Sequence, residues 1–369
     1  MRYSRQTVLP EIGPEGQKRL GQARVLVVGA GGLGATALLY LAAAGVGRRD
    51  NGGCIGIIDD DSVDVSNLQR QIIYTEADQG HAKARAAAEH LRALNAETDV
   101  IAHPERLGTN NVLAILADYD IIIDGSDNFA TKYLINDAAV KTGKPVVYGT
   151  ILGFEGQVSI FSATQGPCYR CLYPEPAQTY IPNCAEAGTM GSIAGVIGSI
   201  QALEACKLAL GATHCQAHGL EPLIGKLLIL DARNWDTRLL VLEKVCDCPV
   251  CSQNPADIRL ESSDAPSCSA ATIQTINLSN LNDLYETGVP LMLIDVREIA
   301  EWDAGHLNGA VHVPLGQMLS LDEDSALLEH DSLIVVYCQH GTRSLQAAHH
   351  LTRLGFNVLN LKIPMKVSV

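Results

Sequence analysis

The chain has 369 residues, 47% of them hydrophobic, with a formal net charge of −14 and eleven cysteines. That length and apolar share fit two or three globular domains, while the acidic balance excludes a general nucleic-acid binder and an anionic-membrane adhesin, both of which need clustered Lys and Arg. The expected partners are small molecules and proteins, with no nucleic acid and no membrane.

The N-terminal stretch MRYSRQTVLPEIG has neither an apolar h-region nor a cleavage pattern, so the chain reads as cytoplasmic. Its cysteines then read as metal-binding, catalytic or buried thiols. The uncharged run from Val25 to Gly47 is long enough to imitate a membrane span, yet it breaks into a short β-branched strand (Val25 to Val28), the turn GAGGLG and an Ala/Leu-rich helix. Further strands are expected at Ile55 to Ile58, Asp120 to Asp124, Pro145 to Tyr148 and Lys226 to Leu230. Their alternation with helical stretches predicts an α/β domain with a Rossmann-like, largely parallel sheet.

From Ser252 to Thr272 the sequence is rich in Ser, Ala, Asp and Pro and loses apolar periodicity. A linker over residues 253–272 therefore divides a domain at 1–252 from one at 273–369. The second is a smaller α/β unit, with strands expected at Leu291 to Val296, Ala310 to Val313, Leu333 to Tyr337 and Val358 to Leu361.

Gly29, Gly31, Gly32 and Gly34 follow the first strand, where absent side chains let a backbone approach phosphates at a helix N-terminus. Alone this fits a nicotinamide-dependent oxidoreductase, with Asp59 ending the second strand against ribose hydroxyls. The segment after Asp59 points elsewhere, because Asn67, Gln69, Arg70 and Lys83 supply cationic and amide groups suited to a triphosphate with a departing pyrophosphate. Asp124 and Asp127 end another strand at the same sheet edge, where a carboxylate can hold Mg²⁺. Asp124 has the blander reading of a strand-end cap.

Cys168/Cys171 and Cys248/Cys251 are two CxxC pairs with the spacing of a four-cysteine structural zinc site. Cys338 instead ends an apolar strand and opens a helix within CQHGTRS, where backbone N–H groups favour a thiolate. Cys54, Cys206, Cys215, Cys246 and Cys268 have no partner spacing and read as simple thiols. Arg85 reads as part of a solvated helix face.

GxGGLG, the Asp59 segment with SNLQRQ, Lys83, the DxxDN of Asp124 to Asn128, CYRCL and CPVC together resemble the MoeB/ThiF family, relatives of ubiquitin-activating enzymes, over roughly residues 1–252. The resemblance implies a homodimeric adenylyltransferase that uses ATP and Mg²⁺ to adenylate the Gly-Gly carboxylate of a small ubiquitin-like sulfur carrier of the MoaD/ThiS type. It assigns ribose to Asp59, phosphates to Asn67, Arg70 and Lys83, the metal to Asp127 with Asn128 beside it, and the neighbouring subunit's phosphates to Arg5. Cys184, in NCAEAGTMGS, matches a cysteine able to form a covalent acyl or persulfide link. The loop RRDNGGC after Gly47 is longer than the family's tight connection and is expected at the surface, away from the chemistry.

LIDVREIAEWDAGHLNGAVHVP followed by CQHGTRS is similar to rhodanese domains, in which the loop cysteine, here Cys338, carries a persulfide. Where such domains continue into a Gly-Gly turn and a Trp-bearing helix this chain reads LKIPMKVSV, so one sheet face is expected to have less cover. The fusion resembles molybdopterin-synthase sulfurylases, although thiamin and tRNA thiolation stay open as pathways. The rival readings are the nicotinamide-dependent oxidoreductase and a non-catalytic docking scaffold for a ubiquitin-like protein.

Overall fold

A computed structural model describes residues 2–175, 188–260, 273–286, 290–322, 325, 328, 332–338 and 342–362. The chain divides into two compact units, Met1–Ala265 and Pro266–Val369. The division falls inside the segment expected as linker, but residues 253–260 belong to the first unit. There Lys141 Nζ donates to the carbonyls of Pro255, Ala256 and Ile258 at 2.9–3.0 Å, and Ile258 is buried.

The first unit runs α1 (Ser4–Thr7), α2 (Gly13–Gln22), β1 (Arg24–Val28), α3 (Gly32–Ala44), β2 (Cys54–Ile58), α4 (Lys83–Leu94), β3 (Val100–His103), α5 (Val112–Ala117), β4 (Ile121–Asp124), α6 (Phe129–Thr142), β5 (Val146–Leu152), β6 (Glu155–Phe161), α7 (Tyr169–Leu172), α8 (Gly191–Leu210), α9 (Ala212–Ala217), β7 (Lys226–Asp231) and β8 (Asp236–Val241). Its sheet has the order β3-β2-β1-β4-β5-β6-β7-β8. The first five strands are parallel and β6 to β8 add antiparallel.

Strands β1, β2 and β4 are buried throughout except Arg24, as expected of parallel strands covered on both faces. The strand order reverses between β1 and β4, which opens a crevice at their carboxyl ends. Helix α8 is long and apolar enough to cross a membrane by length and composition. In the fold it packs along α3 and across β4 to β6, and only part of its surface is open. The loop after Gly47 forms a turn with Arg49 and Asp50 exposed, at the amino end of β2 and so opposite the crevice.

The second unit runs β9 (Thr275–Ile276), α10 (Leu278–Glu286), β10 (Leu291–Asp295), α11 (Ile299–Asp303), β11 (Val311–His312), α12 (Leu315–Met318), β12 (Leu333–Cys338), α13 (Thr342–Arg353) and β13 (Val358–Lys362). All pairs in its sheet, β11-β10-β12-β13-β9, are parallel. The expected shortage of cover is not found on the described strands. Leu281 and Leu278 of α10 close over Val335, Tyr337 and Leu361 on one face, while Ala347 and Leu351 of α13 pack against Ile334, Val336 and Val358 on the other. Residues 363–369 lie outside the described residues.

Candidate active sites and metal centre

Gly29 leaves β1 with φ +87°, and a Cβ there would lie 2.9 Å from Gly125 O on the neighbouring β4 turn. A Cβ on Gly34 would lie 1.8 Å from Gly29 O, so only glycine lets α3 start flush against the strand end. Gly31 N-caps α3 and has no side chain to occupy the first helical N–H groups, which therefore face the crevice as an anion cradle. Gly34→Ala should destabilise the first unit by at least about 1–3 kcal/mol, the usual cost of overpacking. It should also remove the rise in unfolding temperature that ATP gives the wild type, and thermal unfolding with and without ATP checks both.

Asp59, just after β2, accepts from the N–H of Ala30 at 2.7 Å and of Asp61 at 2.9 Å. Burial pushes its carboxyl up, against the pull of those donors and of Lys83. Lys83 opens α4 with a buried side chain, its Nζ 2.8 Å from Asp61 Oδ2 and its backbone N–H bonded to Asp61 O. The Tyr74 hydroxyl reaches both Ala30 O (3.0 Å) and Lys83 O (3.3 Å), tying the glycine turn to the lysine. Arg70 lies across the same turn, with Cγ 3.5 Å from where a Gly32 Cβ would be and Nη1 donating to Ser66 O. Asn67 Oδ1 accepts from Asp64 N, which fixes the SNLQRQ turn and leaves its amide N–H groups for a ligand. The crevice thus gathers Gly29 to Gly34, Asp59, Arg70 and Lys83, with Asn67 in the turn that leads to Arg70.

At the end of β4 the two aspartates diverge. Asp124 is buried, accepting from Ser126 Oγ (2.6 Å), Ser126 N (3.0 Å) and Lys132 Nζ (3.1 Å), and Lys132 also donates to Gly149 O. A buried carboxylate needs such partners. Asp127 is exposed, and Asn128 uses its Oδ1 to cap α6 through Thr131 N. Sequence reasoning missed Asp61 and Lys132, although a strand-end aspartate inside an apolar run signals that a buried cation must answer it. Arg5 is exposed on α1, next to Gln6, whose side chain donates to Ala44 O at the C-terminal end of α3. Cys184 lies outside the described residues, as does Cys268. Of the thiols read as simple, Cys54 and Cys215 are buried, Cys206 is partly buried and Cys246 exposed; Arg85 is exposed.

Cys168, Cys171, Cys248 and Cys251 bring their sulfurs together, with Sγ···Sγ distances of 3.9, 3.6 and 3.5 Å for 168/171, 168/248 and 171/251. Four thiolates about 2.3 Å from a tetrahedral zinc lie about 3.8 Å apart, so the set fits that ion. Without a cation the cluster resists ionisation: burial and neighbouring sulfurs push Cys168 far up and Cys251 up to about 12. Cys248 is also desolvated, yet the N–H groups of Val250 and Cys251 bring it down.

In the second unit, Cys338 ends β12 buried, with Ser344 N donating to its Sγ at 3.4 Å and Ser344 Oγ at the same distance. Residues 339–341 of the expected loop lie outside the described residues. Arg343 is held by Glu301 in a two-point pair at 2.6 and 2.7 Å, which lowers the Glu301 carboxyl to about 2. Asp295 and Arg297 form a second such pair.

The ThiF family model matches residues 3–250 and the rhodanese-like domain model residues 277–363. Over 364 residues the chain is 43% identical to the probable adenylyltransferase/sulfurtransferase MoeZ of Mycobacterium tuberculosis, covering 96% of this chain and 89% of the relative. It is 40% identical to the adenylyltransferase and sulfurtransferase MOCS3 of Mus musculus over 89% of this chain and 71% of that protein. The sulfur carrier protein adenylyltransferase of Thermus thermophilus matches at 48% over 70% of this chain and 93% of its own length. Among solved structures, E. coli MccB with MccA-N7isoASN shares the fold at TM-score 0.59 and 20% identity, covering 68% of this chain and 74% of that one. The chain belongs to the ThiF family, carries a rhodanese-like domain after it, and is an enzyme of the adenylyltransferase/sulfurtransferase kind.

Proposed function

We propose that this enzyme adenylates the C-terminal Gly-Gly carboxylate of a small ubiquitin-like sulfur carrier of the MoaD/ThiS type with ATP, and then makes it a thiocarboxylate with sulfur carried on Cys338. The setting is the cytoplasm and the pathway molybdopterin cofactor assembly. The observation that carries the first step is the buried side chain of Lys83: its ammonium pairs with Asp61 and acts on Asp59 beside the glycine turn, and its backbone carbonyl is tied to that turn by Tyr74. A nicotinamide diphosphate calls for no such charge, whereas departing pyrophosphate does. The Thermus relative's name supports the carrier.

A carboxylate oxygen of the carrier attacks the α-phosphorus of ATP as the bond to pyrophosphate breaks. Arg70 and Lys83 meet the negative charge that accumulates there, the N–H groups at the start of α3 and Asn67 hold phosphate oxygens, and the remaining lone pairs of Asp59 accept ribose hydroxyls. Asp124 is spent on Lys132 and Ser126, so Asp127 is the carboxylate that would hold Mg²⁺, which supplies charge neutralisation at the phosphates. In the second step the outer sulfur of a Cys338 persulfide attacks the acyl carbon and AMP leaves. A further thiol, for which Cys184 is the candidate, then attacks Cys338 Sγ and frees the thiocarboxylate.

The active form is a homodimer. Arg5 sits beside the C-terminal end of α3, and the phosphate cradle is at the other end of that 13-residue helix, about 18 Å away. One arginine side chain does not span that distance, which supports a role for Arg5 in the neighbouring subunit's site. Arg5→Ala and Asp127→Ala should each abolish exchange alone and recover part of it as a mixed dimer. No recovery on mixing places Arg5 in its own subunit.

The test of the whole reading is ATP–pyrophosphate exchange that requires Mg²⁺ and a Gly-Gly-terminated carrier. Cys338→Ala should keep that exchange within about twofold of wild type while thiocarboxylate formation from a persulfide donor falls to background, as expected of a nucleophile removed from one of two separate steps. Absence of exchange with every such carrier returns the case to an oxidoreductase or a docking scaffold.

A further inference from the structure

A lysine buried in the first turn of α6 takes no part in either chemical step. The side chains of Lys132 and Asp124 are only 5% and 3% exposed, and Lys132 Nζ lies 3.1 Å from both Asp124 Oδ2 and Gly149 O, over the Tyr148 ring at 4.9 Å. The place is unfavourable twice over. A cation in a first turn faces the positive end of the helix dipole, and a buried ion pair is often no more stable than apolar side chains of the same volume. Stability alone therefore does not account for this lysine.

Asp124, its partner, is the pin between β4 and the turn that follows. Oδ1 accepts from Ser126 N and Ser126 Oγ, Oδ2 from Lys132, and the backbone carbonyl from Gln201 Nε2 of α8 at 2.8 Å. Gly125 N donates to Val28 O at 2.9 Å. The turn from Gly125 to Asp127 is thus tied to β1 through Gly125, to α6 and β5 through Lys132, and to α8 through Gln201. Asp127 stands exposed at its end, a hard oxygen donor of the kind that Mg²⁺ takes.

We propose that Lys132 is a positioning residue for Asp127. Its ammonium fixes which way the Asp124 carboxylate faces, one oxygen toward α6 and the other toward Ser126, and that carboxylate shapes the turn that presents Asp127. Without the ammonium a buried carboxylate oxygen loses its donor. The carboxylate then turns to find another, and the Ser126 bonds that set the turn go with it. Lys132 acts through Asp124 and touches neither nucleotide nor metal. The inference rests on the reading of Asp127 as the carboxylate that faces the divalent cation.

The experiment titrates ATP into the full chain by calorimetry, with no carrier present, once with Mg²⁺ and once with EDTA. The ratio of the two affinities is the gain that the metal gives. Lys132→Met should cut that gain about 10–100-fold, the range for an outer-shell partner of a metal ligand, while ATP affinity in EDTA, governed by the cradle, Arg70 and Lys83, should change less. Loss of a positive charge by itself would weaken bare ATP more than its less charged magnesium complex and so raise the gain, which makes a fall a report on geometry. Asp124→Asn added to Lys132→Met removes the unpaired charge and leaves a carbonyl oxygen for the Ser126 bonds, and should restore most of the gain. An unchanged gain in folded Lys132→Met overturns the proposal, as does a double variant no better than the single one. Should Lys132→Met not fold, Ser126→Ala, which keeps the buried pair and removes one bond that shapes the turn, takes its place: a smaller gain supports the proposal and an unchanged gain overturns it. If Mg²⁺ gives the wild type no gain, or Asp127→Ala keeps it, the reading of Asp127 falls and this inference with it. If Asp127→Ala loses the gain and Lys132→Met does not, the inference alone falls.

Discussion

Lys83→Met should lower carrier-dependent ATP–pyrophosphate exchange by about 10²–10³-fold, the loss typical when one preorganised donor to developing charge is removed. The lysine side chain is 7% exposed and its partner Asp61 is 69% exposed, so the pair resembles a surface ion pair on one side and contributes little to stability. Methionine keeps the stem and the packing. The unfolding temperature should therefore stay within about 2 °C of wild type, and the two readouts separate catalysis from folding. Lys83→Arg should not rescue, because a planar guanidinium does not replace a point charge in a buried slot. Exchange within tenfold of wild type in Lys83→Met would sink the assignment of the clamp, whatever the fate of Arg70.

The phosphate cradle was legible because it is local. A β-branched strand, a glycine turn and an Ala/Leu helix declare themselves within 20 residues of sequence, and the buried β1 and α3 follow from that pattern. Strands β3, β6 and β8 escaped for physical reasons. β3 is short with Ile101 exposed, β6 carries Gly156 and Gln157, and every residue of the edge strand β8 is exposed, so no apolar period marks it. The expected linker begins too early, because Ser252 to Pro255 look unstructured while three carbonyls at 255–258 are bonded by a lysine more than 100 positions away. Pairings such as Lys83 with Asp61, Lys132 with Asp124 and Ser344 with Asn360 are set by tertiary placement. Spacing along the chain does not encode them.

The four cysteines are the case where spacing did encode a tertiary fact, and they carry the second large effect. Cys168 and Cys171 flank the start of α7, which is held to α6 by Arg170 with Asp137 and by Tyr169 N with Asn136. Cys248 and Cys251 lie 80 residues on, in the segment after β8, which Lys141 holds only further along, at residues 255–258. Val140, Val250 and Ile258 are the buried apolar residues around them, too small a cluster to fix two distant segments without a cross-link. Structural zinc in peptides contributes about 10–16 kcal/mol of apparent binding energy, part of it spent on ordering its ligands and on releasing their protons. Cys248→Ser should therefore lose the metal and lower the unfolding temperature of the first unit by at least about 10 °C, on the scale of about 2–4 °C per kcal/mol for a unit this size. Proteolysis should open first between residues 242 and 260. Asp127 precedes α6, and Val140, which packs on the cysteines, lies roughly 17 Å further along that helix, so exchange measured well below the transition should persist. Metal analysis of freshly reduced wild-type protein should give one zinc per chain. Protein that contains no zinc, or a Cys248→Ser variant that keeps both its metal and its unfolding temperature, would show that the sulfurs meet without an ion to hold.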